Sequence, residues 1–518
     1  MARKKLPIGI QTFREIREDD CYYVDKTGYA VRLVAEGKTY FLSRPRRFGK
    51  SLLLDTLAEM FAGNKRLFEG LDCYDRWDWD VAYPVIRISF AEGGRGPIER
   101  LESRIDEIFG ANERKFGVET KARTVYGRFA ELISAIDEKY GQRVVILVDE
   151  YDKPILDNIM DPEAARKARD LLSNLYSAIK GQDAHIKFVM LTGVSKFSKV
   201  NIFSGLNNLN DITLDEGYSA ICGYTDTDVD TVFASELDGL DRDEIRQWYN
   251  GYNWTGEAVY NPFDLLLLFQ KRQFRPYWFE TGTPTFLLDV LAEQQTFLPR
   301  LADLEASEAL LSTFDVGDMS TVALLFQTGY LTVESTRRIG AVAQYRLKYP
   351  NQEVRSSLSG AMLNRMRPMT EEIASTAPLA LYDHLVAGDL DGVRTFTQAM
   401  FSGIPTDWHR RNKIGDYEGY YASVFYAYFA SLPLDSITTE DASSTGRLDM
   451  AVRVADQTYL FEFKVVETAP EGTALQQIKD RRYADKYLAD GTPVHLVGIE
   501  FSRASRNIVS FDTETVTP

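Results

Sequence analysis

Cysteine and histidine are both scarce, with three and four in 518 residues. Cys21, Cys73 and Cys222 are odd in number, far apart and outside any C-x-x-C pattern. That spacing argues against a disulfide framework or a cysteine zinc site, and it predicts reduced thiols in a cytoplasmic protein. His185, His384, His409 and His495 are scattered, which argues against a histidine-rich metal centre. No apolar run reaches bilayer length, and the opening MARKKLPIGIQTF lacks the apolar core of a signal peptide, so no membrane partner is expected. Repeats and low-complexity tracts are absent. Positive charge is in deficit: the net charge of −16 argues against nonspecific coating of nucleic acid. Residues 1–66 run the other way, with 14 Lys/Arg against 8 Asp/Glu, so a local basic groove stays open.

The apolar share of 44% suits a globular protein, and the length calls for two or three domains. In the N-terminal half, apolar strand candidates at 38–43, 84–90, 144–150 and 185–193 alternate with amphipathic stretches, the pattern of an α/β domain built on a parallel sheet. Residues 1–217 are expected to form this domain and 218–345 a largely helical, aromatic extension or lid. Residues 346–376 are expected as a linker and 377–518 as a second α/β domain. In the last part a hairpin is expected at 447–466, a helix at 474–488 and a strand at 493–501.

RPRRFGKS (44–51) lies between a strand and a helix, where a phosphate-binding loop belongs. Gly49, Lys50 and Ser51 fill the last three places of G-x-x-x-x-G-K-[ST]. In that pattern backbone N–H groups wrap the phosphates, the lysine reaches the terminal ones and the hydroxyl meets magnesium. Arg44 stands where the first glycine is expected, so a basic turn before an amphipathic helix is the competing reading. VVILVDE (144–150) adds a buried strand ending in Asp149 and Glu150, at the sheet edge where ligands of parallel sheets sit. Asp149 is expected to hold the metal and Glu150 to polarise an attacking water. Thr192 and Ser195, after the next strand, are placed to sense the terminal phosphate.

YYVDKT (22–27), RPRRFGKS, LVDEYDKP (147–154), TGVSKFSKVNIFSGLNNL (192–209) and WYNGYNW (248–254), in this order, resemble the AAA-ATPase-like domain of bacteria and archaea. Proteins of this kind commonly carry a C-terminal nuclease domain of the PD-(D/E)XK superfamily. The resemblance covers nearly the whole chain and implies ATP binding. It makes Arg44 part of the family's own form of the loop; P-loop ATPases of this kind often assemble as homo-oligomers in which one subunit completes its neighbour's site, though the sequence does not fix the oligomeric state.

GRLDMAVRVADQTYLFEFKVVE (446–467) carries its own physical argument. A turn at Ala455–Asp456 sets Leu448 opposite Phe463, Met450 opposite Phe461 and Val452 opposite Tyr459, an apolar face that fixes the register. On the other face Asp449 falls opposite Glu462, with Lys464 two residues along. Two opposed carboxylates repel. A divalent cation relieves this, and all-oxygen ligation suits magnesium or manganese. The arrangement resembles the D…E-x-K core of the PD-(D/E)XK superfamily. The resemblance implies that Asp449 and Glu462 bind metal while Lys464 supports attack of water on a phosphodiester. It also implies that Glu418, near the start of a helix at 416–429, completes the metal site. Gln477, Lys479, Arg481 and Arg482 would then face a nucleic-acid backbone.

The aromatic stretches 248–264 and 419–429 are expected to pack in the core, with base stacking as the alternative. His409 precedes the Glu418 helix, and nothing requires it in a site. The sequence therefore predicts an ATP- and magnesium-dependent nuclease acting on nucleic acid, DNA first, and suits a defence role. The competing reading is a nucleotide-switched signalling or DNA-binding protein without cleavage. An ATPase with a vestigial C-terminal domain ranks third.

Overall fold

The structure is a computed structural model. It describes the chain except for residues 1–2, 93–95, 197–205, 207, 283–284, 294–297, 303, 313, 316–317, 341, 367–370, 403–417, 444–445, 506 and 518. Two compact units divide it: Met1–Thr283 with Glu305–Gln352, and Pro284–Leu304 with Glu353–Pro518.

In the first unit, β1 (Thr39–Ser43), β2 (Val85–Ser89), β3 (Val144–Asp149), β4 (Ile186–Gly193) and β5 (Asn210–Asp211) form a sheet in the order β2-β3-β4-β1-β5. Every neighbouring pair is parallel. Val144–Val148 are entirely buried, because helices cover both faces of such a sheet and a continuous apolar run satisfies both. The helix Lys50–Phe61 follows β1 directly after the loop and buries Leu53, Leu54, Leu57 and Phe61. The aromatic residues Tyr249, Tyr252 and Trp254 pack in the core as expected. The stretch after residue 218 is not helical throughout. Strands Thr332–Ile339 and Val342–Lys348 pair there as an antiparallel hairpin, consistent with the β-branched Thr-Val at its start. Beyond it, the helix Gln352–Met366 occupies part of the stretch expected as a linker.

In the second unit, β6 (Ser436–Ser443), β7 (Gly446–Val454), β8 (Gln457–Val466), β9 (Val494–Ser502) and β10 (Ile508–Val516) make a sheet in sequence order. The β8–β9 pair is parallel and the others are antiparallel. The hairpin ladder pairs Met450 with Phe461 and Val452 with Tyr459, and Ala455 takes the turn at φ 49°. Leu448, expected opposite Phe463, packs with Ala451, Leu460 and Ile478. On one face of the sheet Phe425, from the helix Glu418–Ala430, meets Phe461 and Phe463 at ring separations of 5.0 and 4.9 Å. The opposite face carries the helix Thr473–Asp480. The helix expected over 474–488 is broken after Asp480: Arg482 adopts φ 53°, and a second short helix begins at Asp485. The break turns Tyr483 inward, where its hydroxyl donates to the Arg447 carbonyl at 2.7 Å.

Candidate functional site

Polar side chains cluster at the carboxyl ends of β1 and β3 in the first unit and on the β7–β8 hairpin in the second. In the first unit, β1 feeds the loop 44–49. Gly49 adopts φ 92°, a left-handed conformation that glycine takes without strain. Arg44 points into the protein and is fully buried. Its guanidinium donates to the carbonyls of Ser43, Thr213 and Tyr218 at 2.8, 3.0 and 3.1 Å and lies 4.1 Å from the centre of the Trp254 ring. Arg44 therefore ties the base of the loop to residues 213–219. Burial pushes its pKa down to about 10.

Lys50 Nζ donates to the carbonyls of Arg44 and Pro45, each at 2.8 Å, so the loop curls around the ammonium. Burial lowers the Lys50 pKa, and the charge of Asp149 opposes this. The Ser51 hydroxyl donates to Asp149 Oδ2 at 2.6 Å, and Thr192 donates to Oδ1 at 2.9 Å. Glu150 sits at φ 52°, and burial raises its carboxyl, with Asp149 adding to the effect. Arg46, Arg47, Gly49, Lys50, Ser51 and Glu150 line a cavity of about 400 Å³, with Phe263 and Leu266 on its apolar side. That size and lining suit a small polyanionic ligand with an apolar end. Ser51 and Asp149 supply the hydroxyl and carboxylate that a magnesium ion needs beside phosphates.

Asp152 is a polar member that sequence reasoning passed over. It is 1% exposed, and its carboxylate takes the N–H groups of Val194 and Ser195 at 3.1 and 2.6 Å and the Ser195 hydroxyl at 2.6 Å. Ser195 is thereby committed to Asp152, and Thr192 is the residue beside Asp149. An acid inside LVDEYDKP, three residues after Asp149, was the available signal.

In the second unit, the hairpin and the helix Thr473–Asp480 bring Asp449, Glu462, Lys464 and Gln477 together. Glu462 is 1% exposed. Its Oε1 accepts from Lys464 Nζ at 3.0 Å and from the Gln477 amide, while its Oε2 is buried with no hydrogen-bond partner among the described residues. Asp449 Oδ2 accepts the Phe463 N–H at 2.7 Å, which holds this carboxylate beside Glu462. Burial and the Asp449 charge raise the Glu462 carboxyl well above its ordinary range, and Lys464 opposes them. Two carboxylates with an orphaned oxygen form a donor set that fits a hard divalent cation. Among the described residues, no group of three or more His, Cys, Asp or Glu could hold a metal ion.

The remaining predicted residues are more dispersed. Glu418 opens the helix Glu418–Ala430, and its side chain lies outside the described residues, as does His409 altogether. Lys479, Arg481 and Arg482 are exposed; Lys479 lies 2.6 Å from Glu514 and Arg482 lies 2.6 Å from Asp485.

A parallel sheet with a phosphate-binding loop, joined in one chain to a mixed sheet bearing D…E-x-K, defines a P-loop NTPase-like unit linked to a nuclease-like one. Comparison with known proteins gives the same division. A family model described as a predicted AAA-ATPase matches residues 7–203, and the PD-(D/E)XK nuclease superfamily model matches residues 416–511. A protein of Azotobacter chroococcum mcd 1, titled "Uncharacterized protein in vnfD 5'region", is 61% identical over 517 residues, spanning 100% of both chains. The chain belongs to one family with this relative and combines an AAA-ATPase-like domain with a C-terminal domain of the PD-(D/E)XK nuclease superfamily. Among the described residues, no helix is long and apolar enough to cross a membrane.

Proposed function

We propose that the protein binds ATP in its first unit and cleaves phosphodiester bonds of nucleic acid, DNA first, in its second, with nucleotide state gating the cut. The observation that carries the nuclease reading is Glu462, buried with one oxygen held by Gln477 and Lys464 and the other without a partner among the described residues. Asp449 and Glu462 would hold a magnesium or manganese ion, which would supply the charge that activates water and offsets charge growing on the phosphoryl group. Glu418, upstream, completes the ligand set. Lys464 orients the attacking water or takes its proton, and Lys479, Arg481 and Arg482 hold the backbone of the nucleic acid.

In the first unit Gly49 and Lys50 cradle the phosphates, Ser51 and Asp149 hold magnesium, and Glu150 activates water. Self-assembly, a cytoplasmic location and a role in defence against foreign nucleic acid complete the proposal. Cleavage of circular DNA in magnesium, with and without ATP, tests it in the wild type and in Lys50→Ala. ATP is expected to change the wild-type rate at least several-fold and to leave the variant unmoved. Equal responses in both proteins contradict gating. Nucleotide binding without any cutting favours the switch-like binding protein.

A further inference from the structure

Gln477 reaches Glu462 from the helix Thr473–Asp480, and what seats this helix lies on β9 (Val494–Ser502). Across the parallel pair, Glu462 is in register with Gly498 and Lys464 with Glu500. Both β9 residues therefore share the face beneath the helix. A β-carbon at Gly498 would collide with the backbone nitrogen of Leu475 and stand 2.7 Å from its Cα, so only glycine allows the helix this close. Two residues on, Glu500 is fully buried. Its carboxylate accepts the N–H groups of Glu471 and Thr473 at 2.6 Å each and of Ala474 at 3.4 Å, and the Thr473 hydroxyl at 3.1 Å. Glu500 thus closes the start of the helix, one turn before Gln477.

We propose that Gly498 and Glu500 are positioning residues for the metal site: they fix the depth and start of the helix so that Gln477 holds Glu462 with one oxygen turned free for a cation. This role rests on Asp449 and Glu462 being the metal ligands. Neither residue touches the cation, and both act through Gln477.

Mn²⁺ binding by the full-length chain, followed by electron paramagnetic resonance, tests this without any turnover. The site is read as the binding lost in Glu462→Ala. Glu500→Gln and Gln477→Ala are each expected to weaken it about 10-fold, the lower end of what an outer ligand contributes. The double variant is expected to bind no more weakly than Gln477→Ala, because both changes break one chain of contacts. Should Glu500→Gln fail to fold, Glu500→Asp keeps the charge, shortens the reach and is expected to show a smaller loss. A lowered melting temperature with unchanged Mn²⁺ affinity, or losses that add in the double variant, overturns the proposal alone. Wild type that binds no Mn²⁺ at the Glu462 site overturns the metal reading and the proposal together.

Discussion

Replacing Arg44 by glycine brings RPRRFGKS closer to the usual phosphate-loop pattern, yet the structure predicts damage. The guanidinium is fully buried and donates to three carbonyls at 2.8–3.1 Å, with a fourth, that of Ser219, at 3.4 Å. Leaving three buried carbonyls without that donor costs about 1–3 kcal/mol each. Arg44 also has a buried Nε with no partner among the described residues, so removing the side chain relieves part of its desolvation. The net expected loss is about 3–5 kcal/mol, the lower half of that sum once the relieved desolvation is subtracted. At about 2–4 °C per kcal/mol for a large domain, the transition of the first unit should fall by roughly 10 °C. Calorimetry on Arg44→Gly and on Arg44→Met, which keeps most of the volume, measures this. Both should be destabilised, with glycine the worse because it also leaves a void against Trp254. A glycine variant within about 1 kcal/mol of wild type would show that Arg44 is not a strut and that its departure from the pattern is incidental.

Three further outcomes are expected. Asp152→Asn puts an amide where three donors converge, so ATP turnover should fall about 10-fold or more while nucleotide affinity holds within about threefold; a fluorescent ATP analogue and a phosphate-release assay separate the two. For Glu500, burial alone would raise the carboxyl, but N–H groups of residues 471–474 outweigh it and hold the pKa below its ordinary value. Its contribution to stability is therefore present above the ordinary carboxylate pKa and lost as pH falls through the depressed one. Acid titration of unfolding should be shallower in Glu500→Gln than in wild type. Lys50→Ala should weaken ATP binding about 100-fold or more in a filter-binding assay, since it removes the ammonium around which the loop curls.

The parts that were legible in the sequence share a physical cause. Strands β1, β3 and β4 are short, mainly apolar runs because both faces of their sheet are covered, and β3 ends at Asp149 with Glu150 directly after it. From Met450 to Val454 the register of the hairpin followed from alternation alone, because a one-residue slip would expose Phe461 and Tyr459, whereas Leu448, expected opposite Phe463, packs with Ala451 and Leu460. What escaped depends on distant contacts. What Arg44 does in the loop was not legible, because its partners lie some 170 residues away, at Thr213 and Tyr218. The break at Arg482 was hidden because KDRRY keeps good helical propensity; the inward turn of Tyr483 onto the Arg447 carbonyl decides it. Gly498 and Glu500 sit in a strand whose apolar run masks what they do for a helix earlier in the chain. The edge strands β6 and β10 are polar and alternate weakly, so nothing local marked them.

The central claim is that Glu462, with Asp449 and Lys464, forms a metal-dependent phosphodiesterase site. The most direct measurement is cleavage of supercoiled DNA, with an RNA control, in Mg²⁺ or Mn²⁺ by wild type and Glu462→Ala prepared side by side. Metal-dependent cutting of at least one substrate by wild type, reduced at least 100-fold in the variant, is the predicted result. Equal cutting by the two proteins, or none by a folded, ATP-binding wild type on either nucleic acid, would contradict it.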